Sequence, residues 1–417
     1  MNFIKKNSLP LLILLALILG VIAGKIVSIY PTELNWFLES CKWVGKAFLN
    51  LLQMIIAPLV FASIVTGVAS IGSSSNLGRI SAKTLGLFMS TTLIAIIIGL
   101  FLVNIITPGN GVDILSSASL SADNLNNISQ SRPTIGKILM DAIPVNIASA
   151  FVTNNILQII IFAILFGFFT TKIESKLSST ITKFFDSVFH VMMKITGAII
   201  KLTPIGIFGI VTEQISVNSN LTTLFAGMGL LIVTVLLGIS IQMFVVLPLM
   251  LRSAGIKPFA HMKNMSLPLL TAFSTASSSA TLPLSLEAIT EKSGVSEKIA
   301  SFVLPLGATI NMNGTALFEC VSVIFLAQAY GVDLSITQQI VVVLTSLLAA
   351  VGAAGIPMAG FVMMAVILSA VGLPLEGIGI IMSVNFIMDM ARTSANVWGD
   401  CAVAAIIAKS EGETLNV

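Results

Sequence analysis

Four stretches of this chain run almost without charge: 9–27, 85–106, 224–251 and 334–375. The first holds a single lysine, Lys25, and the other three hold no charged residue at all. A helix crosses a bilayer in about 20 apolar residues, and in lipid the backbone is satisfied only by helices or closed barrels. A barrel would show short alternating segments, which are absent. The chain therefore reads as an all-α polytopic membrane protein. Charged residues make up 9% of it against roughly a quarter in soluble domains, which excludes a water-soluble globule; no nucleic-acid partner is expected. Lys5 and Lys6 precede the first apolar run as they would in a signal peptide. The run is long for one and more spans follow, so an uncleaved span is expected. Cys41, Cys320 and Cys401 lack a metal or redox spacing, and His190 and His261 stand apart from one another.

Eight spans are expected, near 9–28, 43–71, 84–106, 138–170, 182–212, 222–251, 297–330 and 376–408. Lys and Arg favour the cytoplasmic side. Lys5/Lys6, Arg79/Lys83, Lys172/Lys176, Arg252/Lys257/Lys263, Lys292/Lys298 and Lys409 fall on one side if both termini are cytoplasmic. Glu33, Glu39, Asp113, Asp123, Glu213 and Asp333 then fall on the other, with Arg132 and Lys137 as exceptions. That sorting requires 258–292 and 334–375 each to enter and leave on the same side. Both have apolar arms around a small or polar tip, STASSSATLP at 274–283 and GAAGIPMAG at 352–360. Arms of about 10–15 residues suit re-entrant segments, and irregular backbone at membrane depth needs protein or a water-filled cavity around it. A flexible linker would explain the serines but not the apolar arms. The chain thus ends in hairpin–span, hairpin–span, the inverted-repeat pattern of secondary transporters with a mid-membrane site. The polar stretch 107–136 reads as an external loop.

The charges missing elsewhere are concentrated in DMARTSANVWGD at 389–400. At about 100° per residue, Asp389, Arg392, Thr393, Asn396 and Asp400 share an arc of about 100°, one helix face. Each charge at the bilayer centre costs about 2.5–3.5 kcal/mol on insertion scales. An Asp–Arg pair holding helices together accounts for two of them and leaves Asp400 and Asn396 without a role. A polar cavity accounts for all. A second break lies in PLGATINMNGTA at 305–316, where two Asn and two Gly weaken the helix and free carbonyl oxygens for a hard cation such as Na⁺, with Asp400 adding negative charge. The two hairpin tips offer backbone N–H groups and helix N-termini to carboxylates. Glu319 sits among apolar residues, where an ionised carboxylate is penalised. It is expected to be protonated for part of a cycle, or else to be a neutral group hydrogen-bonded between helices throughout.

Taken in order, SSSATLP, PLGATINMNGTA, GAAGIPMAG, LPLEGIGI and DMARTSANVWGD resemble the glutamate transporter family, the dicarboxylate/amino acid:cation symporters. PLVFASIVTG in the second span and KLTPIGIFG in the fifth extend the resemblance over nearly the whole chain. It implies eight transmembrane helices with two re-entrant hairpins, and a homotrimer in the lipid of the cell's inner (plasma) membrane. Spans 1–2 (1–83) and 4–5 (137–221) would form a scaffold around a transport domain of span 3 (84–106) and 222–417 that moves as an elevator. It further implies a pocket in which Arg392 partners the substrate's side-chain carboxylate and Asp389 its ammonium group. Ser277, Ser278, Thr315, Ala354, Gly355, Thr393 and Asn396 complete that pocket. Asp400 with Gly307, Asn311 and Asn396 resembles one sodium site; Thr309 and Met312 with Ala350, Val351 and Ala353 resemble a second. Thr91, Thr92 and Asn311 fall at a third, which is weakened here. Asn313 replaces an acidic ligand, since the usual NMDG reads NMNG, and Phe88 stands where a tyrosine is common. Asn385 replaces an aspartate, Ala276 and Met390 stand at two positions where an arginine is often found, and Trp398 is bulkier than usual. Glu319 stands where eukaryotic members place a glutamate associated with proton coupling.

The expected function is import of aspartate or glutamate coupled to sodium, with protons as an additional coupling ion, and not an enzymatic one. Within the family the alternatives are a C4-dicarboxylate carrier, whose relatives lack the aspartate present as Asp389, and a neutral amino acid carrier, which usually lacks the arginine present as Arg392. A channel would need a continuous polar pore. An intramembrane hydrolase would need a base beside Ser277–Ser279, and no histidine or lysine is near those serines in sequence.

Overall fold

The computed structural model describes residues 8–71, 78–112, 140, 143–153, 155–217, 221–352 and 359–417. Every regular element among them is helical. The first three are α1 (Ser8–Ile29), α2 (Asn35–Ile71) and α3 (Gly78–Ile106). Helix α2 begins before the apolar run because its charged first turns, with Lys42 bonded to Glu39 at 2.8 Å, are helical too. The 352–360 tip falls largely outside the described residues, as do Ala353, Ala354 and Gly355 and most of the 107–136 loop.

Two expected spans are broken, each for a local reason. The 138–170 region forms α4 (Ile147–Val152) and α5 (Ile156–Thr170), and Asn146 and Asn155 each cap a helix start with the side-chain oxygen. Such a cap satisfies orphan N–H groups and favours a fresh start over continuation. The 182–212 region forms α6 (Ser175–Lys201) and α7 (Thr203–Val217), bent by 53° where Pro204 follows. Proline there has no N–H to give and its ring crowds the carbonyl one turn back.

The later spans are interrupted as well. Leu221–Ile241 (α8) passes through a π turn, Gln242–Val246, into α9 (Leu247–Ser253). Three helices make the first hairpin: α10 (Pro258–Asn264), α11 (Ser266–Thr275) and α12 (Ser278–Glu291). Its tip reverses at Ala276, which takes the left-handed conformation with φ 49°, and Ser277 caps α12 by accepting from Ala280 N at 3.2 Å. The seventh span divides into α13 (Glu297–Ile310) and α14 (Asn313–Ala329), with Asn311 and Met312 in non-helical conformations. The second hairpin has arms α15 (Ile336–Gly352) and α16 (Ala359–Ala370), and α17 (Ile378–Ser410) closes the chain. Among the described residues three helices are long and apolar enough to cross a membrane, Arg79–Ile106, Thr223–Ser253 and Glu297–Ala329, and the bent α6–α7 pair makes a fourth.

Packing divides the helices into two groups. Helix α7 packs on α1 and α2, and α2 also packs on α5 and α6. Helix α14 packs on α3, α15 and α17, and α17 receives α11 and α13. The α2–α7 approach needs Gly209, where a Cβ would lie 2.5 Å from the Cys41 carbonyl oxygen; small residues let membrane helices close to backbone distance. The surface is inverted relative to a soluble protein. Leu12, Leu15, Ile18, Leu19 and Ile22 of α1 are exposed, whereas α14 is buried along nearly its whole length.

After α17 the chain turns back over the start of α3 and the base of the first hairpin. Glu411 pairs with Arg79 and with Lys83, whose Nζ donates to Oε1 at 2.7 Å. Glu413 Oε2 accepts from Ser296 N at 2.9 Å, and Asn416 N donates to the Ser293 carbonyl at 3.0 Å. Hydrogen bonds from Lys83 and Arg79 hold the Glu411 carboxyl below its usual range. A depressed carboxylate contributes stability that is present above its unfolded value and lost as pH falls through its folded value. Glu411→Gln should therefore lower the thermal midpoint of the purified protein near neutral pH. Below the carboxylate range the variant and wild type should melt together. An equal deficit at both pH values would assign the effect to packing rather than charge.

Candidate functional site

The polar arc of α17 meets the α13–α14 break, and the amides at the break do the joining. Asn396 Oδ1 accepts from Gly314 N at 2.8 Å and Thr315 N at 3.4 Å, satisfying donors at the start of α14. Its Nδ2 donates to Thr315 Oγ1 at 3.0 Å and to Met312 Sδ at 3.6 Å. Gly314 permits the approach, because a Cβ there would lie 2.5 Å from the Arg392 carbonyl oxygen. Two sequence features far apart in the chain thus form one buried cluster.

Arg392 lies at one end of it, 1% exposed. Its Nε and Nη2 both donate to Asp389 Oδ1, at 2.8 and 2.7 Å. Its guanidinium carbon sits 4.5 Å from the centre of the Phe318 ring, a cation–π contact made stronger by exclusion of water. Nη1 finds no partner among the described residues. A Cβ on Gly360, in the first turn of α16, would come 3.0 Å from that same Nη1. The Asp–Arg pair is real, yet it occupies only one edge of the guanidinium. The other edge is buried, cationic and without a partner among the described residues, with Gly360 of the second hairpin beside it.

Asp400 lies at the other end. Its Oδ1 accepts from Asn311 Nδ2 at 2.8 Å, and Asn311 Oδ1 accepts in turn from Thr91 Oγ1 at 3.1 Å. A Cβ on Gly307 would lie 2.5 Å from Asp400 Oδ1, so glycine alone leaves room for the carboxylate. Among the described residues no basic side chain pairs with Asp400. A buried carboxylate lacking a counter-charge is expensive. A buried carboxylate that accepts one amide hydrogen, lacks a counter-charge and lies beside the interrupted backbone at Asn311 and Met312 fits a hard cation of low charge. Among the described residues no cluster of three or more His, Cys, Asp or Glu is present, so a site for a transition metal has no support there.

The remaining expected site residues sort by position. Ser278, Thr315 and Thr393 are buried around the cluster, and Thr92, Met312 and Ala350 are buried too. Ser277 is committed to its capping bond. Thr309 is not brought in by its side chain: it is exposed, and its hydroxyl donates to the Leu306 carbonyl at 3.0 Å. The side chain of Val351 lies outside the described residues.

Asn313 is buried with Oδ1 accepting from Gly314 N at 2.7 Å, and its Nδ2 has no partner among the described residues. That amide faces Gly399, where a Cβ would meet Nδ2 at 2.4 Å. Glu319 is fully buried and neither carboxyl oxygen has a partner among the described residues.

Several contributors were not singled out from the sequence. Phe318 beneath Arg392 is one; Gln242, whose Nε2 donates to the Thr91 carbonyl at 3.1 Å, is another. Gln242 opens the π turn, and π turns gather at functional sites. A glutamine inside an uninterrupted apolar run was the available signal.

The chain matches the sodium:dicarboxylate symporter family over residues 9–410. It is 34% identical to the proton/glutamate-aspartate symporter of Escherichia coli (strain K12), covering 97% of this chain and 93% of that protein. It is 34% identical to the proton/sodium-glutamate symport protein of Bacillus subtilis (strain 168), covering 98% and 94%. The C4-dicarboxylate transport protein of the same organism is also 34% identical, with the same coverage. The fold, the buried pocket and these full-length matches agree: the chain is an integral membrane protein of the sodium:dicarboxylate symporter family.

Proposed function

We propose that this protein is a secondary active symporter that imports aspartate or glutamate, driven by sodium and assisted by a proton. The observation that carries the substrate assignment is the open edge of Arg392 beside Asp389. A planar guanidinium with free N–H groups suits a carboxylate held in two-point geometry. Asp389, next to it, suits an ammonium group and repels a second carboxylate. That combination favours an acidic amino acid over a C4-dicarboxylate, which overall identity does not separate, since both kinds of relative stand at 34%. It also favours an acidic over a neutral amino acid, because a neutral side chain would leave the Arg392 charge buried without a partner.

Sodium bound at Asp400 would supply the positive charge that the carboxylate lacks and the gradient that drives uptake. The chain's own residues do the rest. Asn311 and Asn396 orient the break, Gly307 makes room for the carboxylate, and the serine tip brings N–H groups toward the pocket. The packing of α3, α14, α17 and the first hairpin as one group supports an elevator in which they move against α1, α2 and α5–α7. A homotrimer in the plasma membrane with cytoplasmic termini belongs to the same proposal.

Proteoliposome uptake across a substrate panel, under separately imposed sodium and proton gradients, tests the whole reading. Arg392→Cys should abolish aspartate uptake and admit serine or alanine. Near-normal aspartate affinity in that variant would sink the substrate assignment.

Glu319 and Asn313 make the coupling testable. Glu319 lies fully buried in the apolar core of α14, and its carboxyl oxygens find no hydrogen-bond partner among the described residues. Asn313 presents a donor where a cation needs an oxygen. Glu319→Gln should remove the response of uptake to an imposed pH gradient and leave the sodium requirement. Asn313→Asp should raise sodium affinity or the sodium Hill coefficient, because hard cations favour charged oxygen ligands. Wild-type uptake indifferent to the pH gradient would return Glu319 to a structural role.

A further inference from the structure

The polar arc of α17 has an opposite side, and that side is tied down by directional bonds. Ser394, Trp398 and Cys401 lie at about +140°, 180° and +120° from Asp389 on the helical wheel. Ser394 Oγ donates to the Leu269 carbonyl at 3.2 Å, joining α17 to the first hairpin. Trp398 Nε1 donates to the Met243 carbonyl at 3.0 Å, within the π turn. The Cys401 carbonyl meets His261 Nε2 at 3.1 Å. A carbonyl can only accept, so His261 carries its hydrogen on Nε2, and Nδ1 accepts from Ser293 Oγ at 2.9 Å. His261 and Trp398 are both fully buried, with rings 5.4 Å apart.

An imidazole is a costly residue to bury unless both nitrogens are bonded, and here both are. An apolar side chain would fill the space without fixing an angle, whereas a hydrogen bond constrains direction. Direction is what the front of the helix needs. A rotation of α17 by about 20° would sweep a carboxylate some 6 Å from the axis through about 2 Å, while cation–ligand distances tolerate about 0.2 Å.

We propose that His261 and Trp398 are positioning residues for the Asp400 cation site: they lock the rotation of α17 from behind, and thereby set the sodium affinity of a site they do not touch. The proposal rests on the reading of Asp400 as a sodium ligand. It makes the base of the first hairpin, where His261 and Ser293 meet, part of the ion-binding apparatus.

The chain carries its own reporter. Of its three tryptophans, Trp36 and Trp43 are 69% and 73% exposed on α2. In a Trp36→Phe/Trp43→Phe background, Trp398 is the sole emitter. The full-length protein in lipid nanodiscs is titrated with sodium chloride against choline chloride at constant ionic strength, alongside sodium-dependent aspartate uptake. Sodium, and not choline, should change Trp398 emission saturably. His261→Phe should raise the sodium midpoint roughly tenfold in both assays, the order of effect seen when groups orienting a metal ligand are removed, with maximal uptake at saturating sodium retained. His261→Gln, which can still donate to the Cys401 carbonyl, should restore most of the affinity. If His261→Phe fails to fold, Ser293→Ala removes the bond that orients the ring, with a longer one from Asn264 Nδ2 at 3.3 Å, and should shift the midpoint by about two- to threefold. Folded His261→Phe or Ser293→Ala with the wild-type sodium midpoint overturns the proposal. Asp400→Asn separates the two ideas. Loss of the sodium response there with no shift in the His261 and Ser293 variants removes the positioning role alone, whereas an unchanged sodium midpoint in Asp400→Asn removes the cation site and the proposal together.

Discussion

Three charges on one membrane helix, Asp389, Arg392 and Asp400, set the terms for everything packed around α17. Each would cost about 2.5–3.5 kcal/mol at the bilayer centre, so the fold must enclose that helix rather than expose it to lipid. It does so with α13 and α14 on one side and the first hairpin on another. The price is that other helices turn apolar faces outward, as α1 does with Leu12, Leu15 and Ile18. Charge inside and leucine outside is one constraint seen from two directions.

Enclosure alone would leave the charges unpaired, and the way each is or is not satisfied separates structure from function. Asp389 and one edge of Arg392 satisfy each other. The other edge of Arg392 and the whole of Glu319 are left without partners among the described residues, and Asp400 has an amide partner but no counter-charge. Buried polar groups are nearly always bonded, and on the proposed function these exceptions are the places of the substrate carboxylate, the proton and the cation. The Asn396 amide holds the α13–α14 break against α17, and the Asn311 amide links Asp400 to Thr91 of α3. The line between scaffold and site therefore falls between neighbouring side chains on the same helix.

The broken helices serve this arrangement. At Asn311 and Met312 the backbone leaves the helix, and just beyond them the N–H groups of Gly314 and Thr315 donate to Asn396 of α17. At Gln242–Val246 a wider turn aims one carbonyl at Trp398 while Gln242 reaches the carbonyl of Thr91, whose hydroxyl bonds Asn311. Interrupted backbone of this kind is tolerated at membrane depth because protein surrounds it. Relatives named for proton coupling and for proton/sodium coupling stand at the same identity to this chain.

By itself the sequence determined the membrane class, the hairpin–span repeat and the single polar face of α17, because each of these is a periodicity or a run that local chemistry enforces. It also showed the α13–α14 break, since two Asn and two Gly in an apolar span have few other uses. It did not show that α6 and α7 are bent at Pro204 or that α8 passes through a π turn; those depend on how a strained segment is packed, and a lone proline or glutamine permits several outcomes. His261 and Trp398 are 137 residues apart by numbering, and no pattern along the chain relates them. Only the tertiary structure placed the imidazole between Ser293 and the Cys401 carbonyl, behind the carboxylate of Asp400, because a hydrogen bond between distant helices is decided by packing and leaves no period in the sequence.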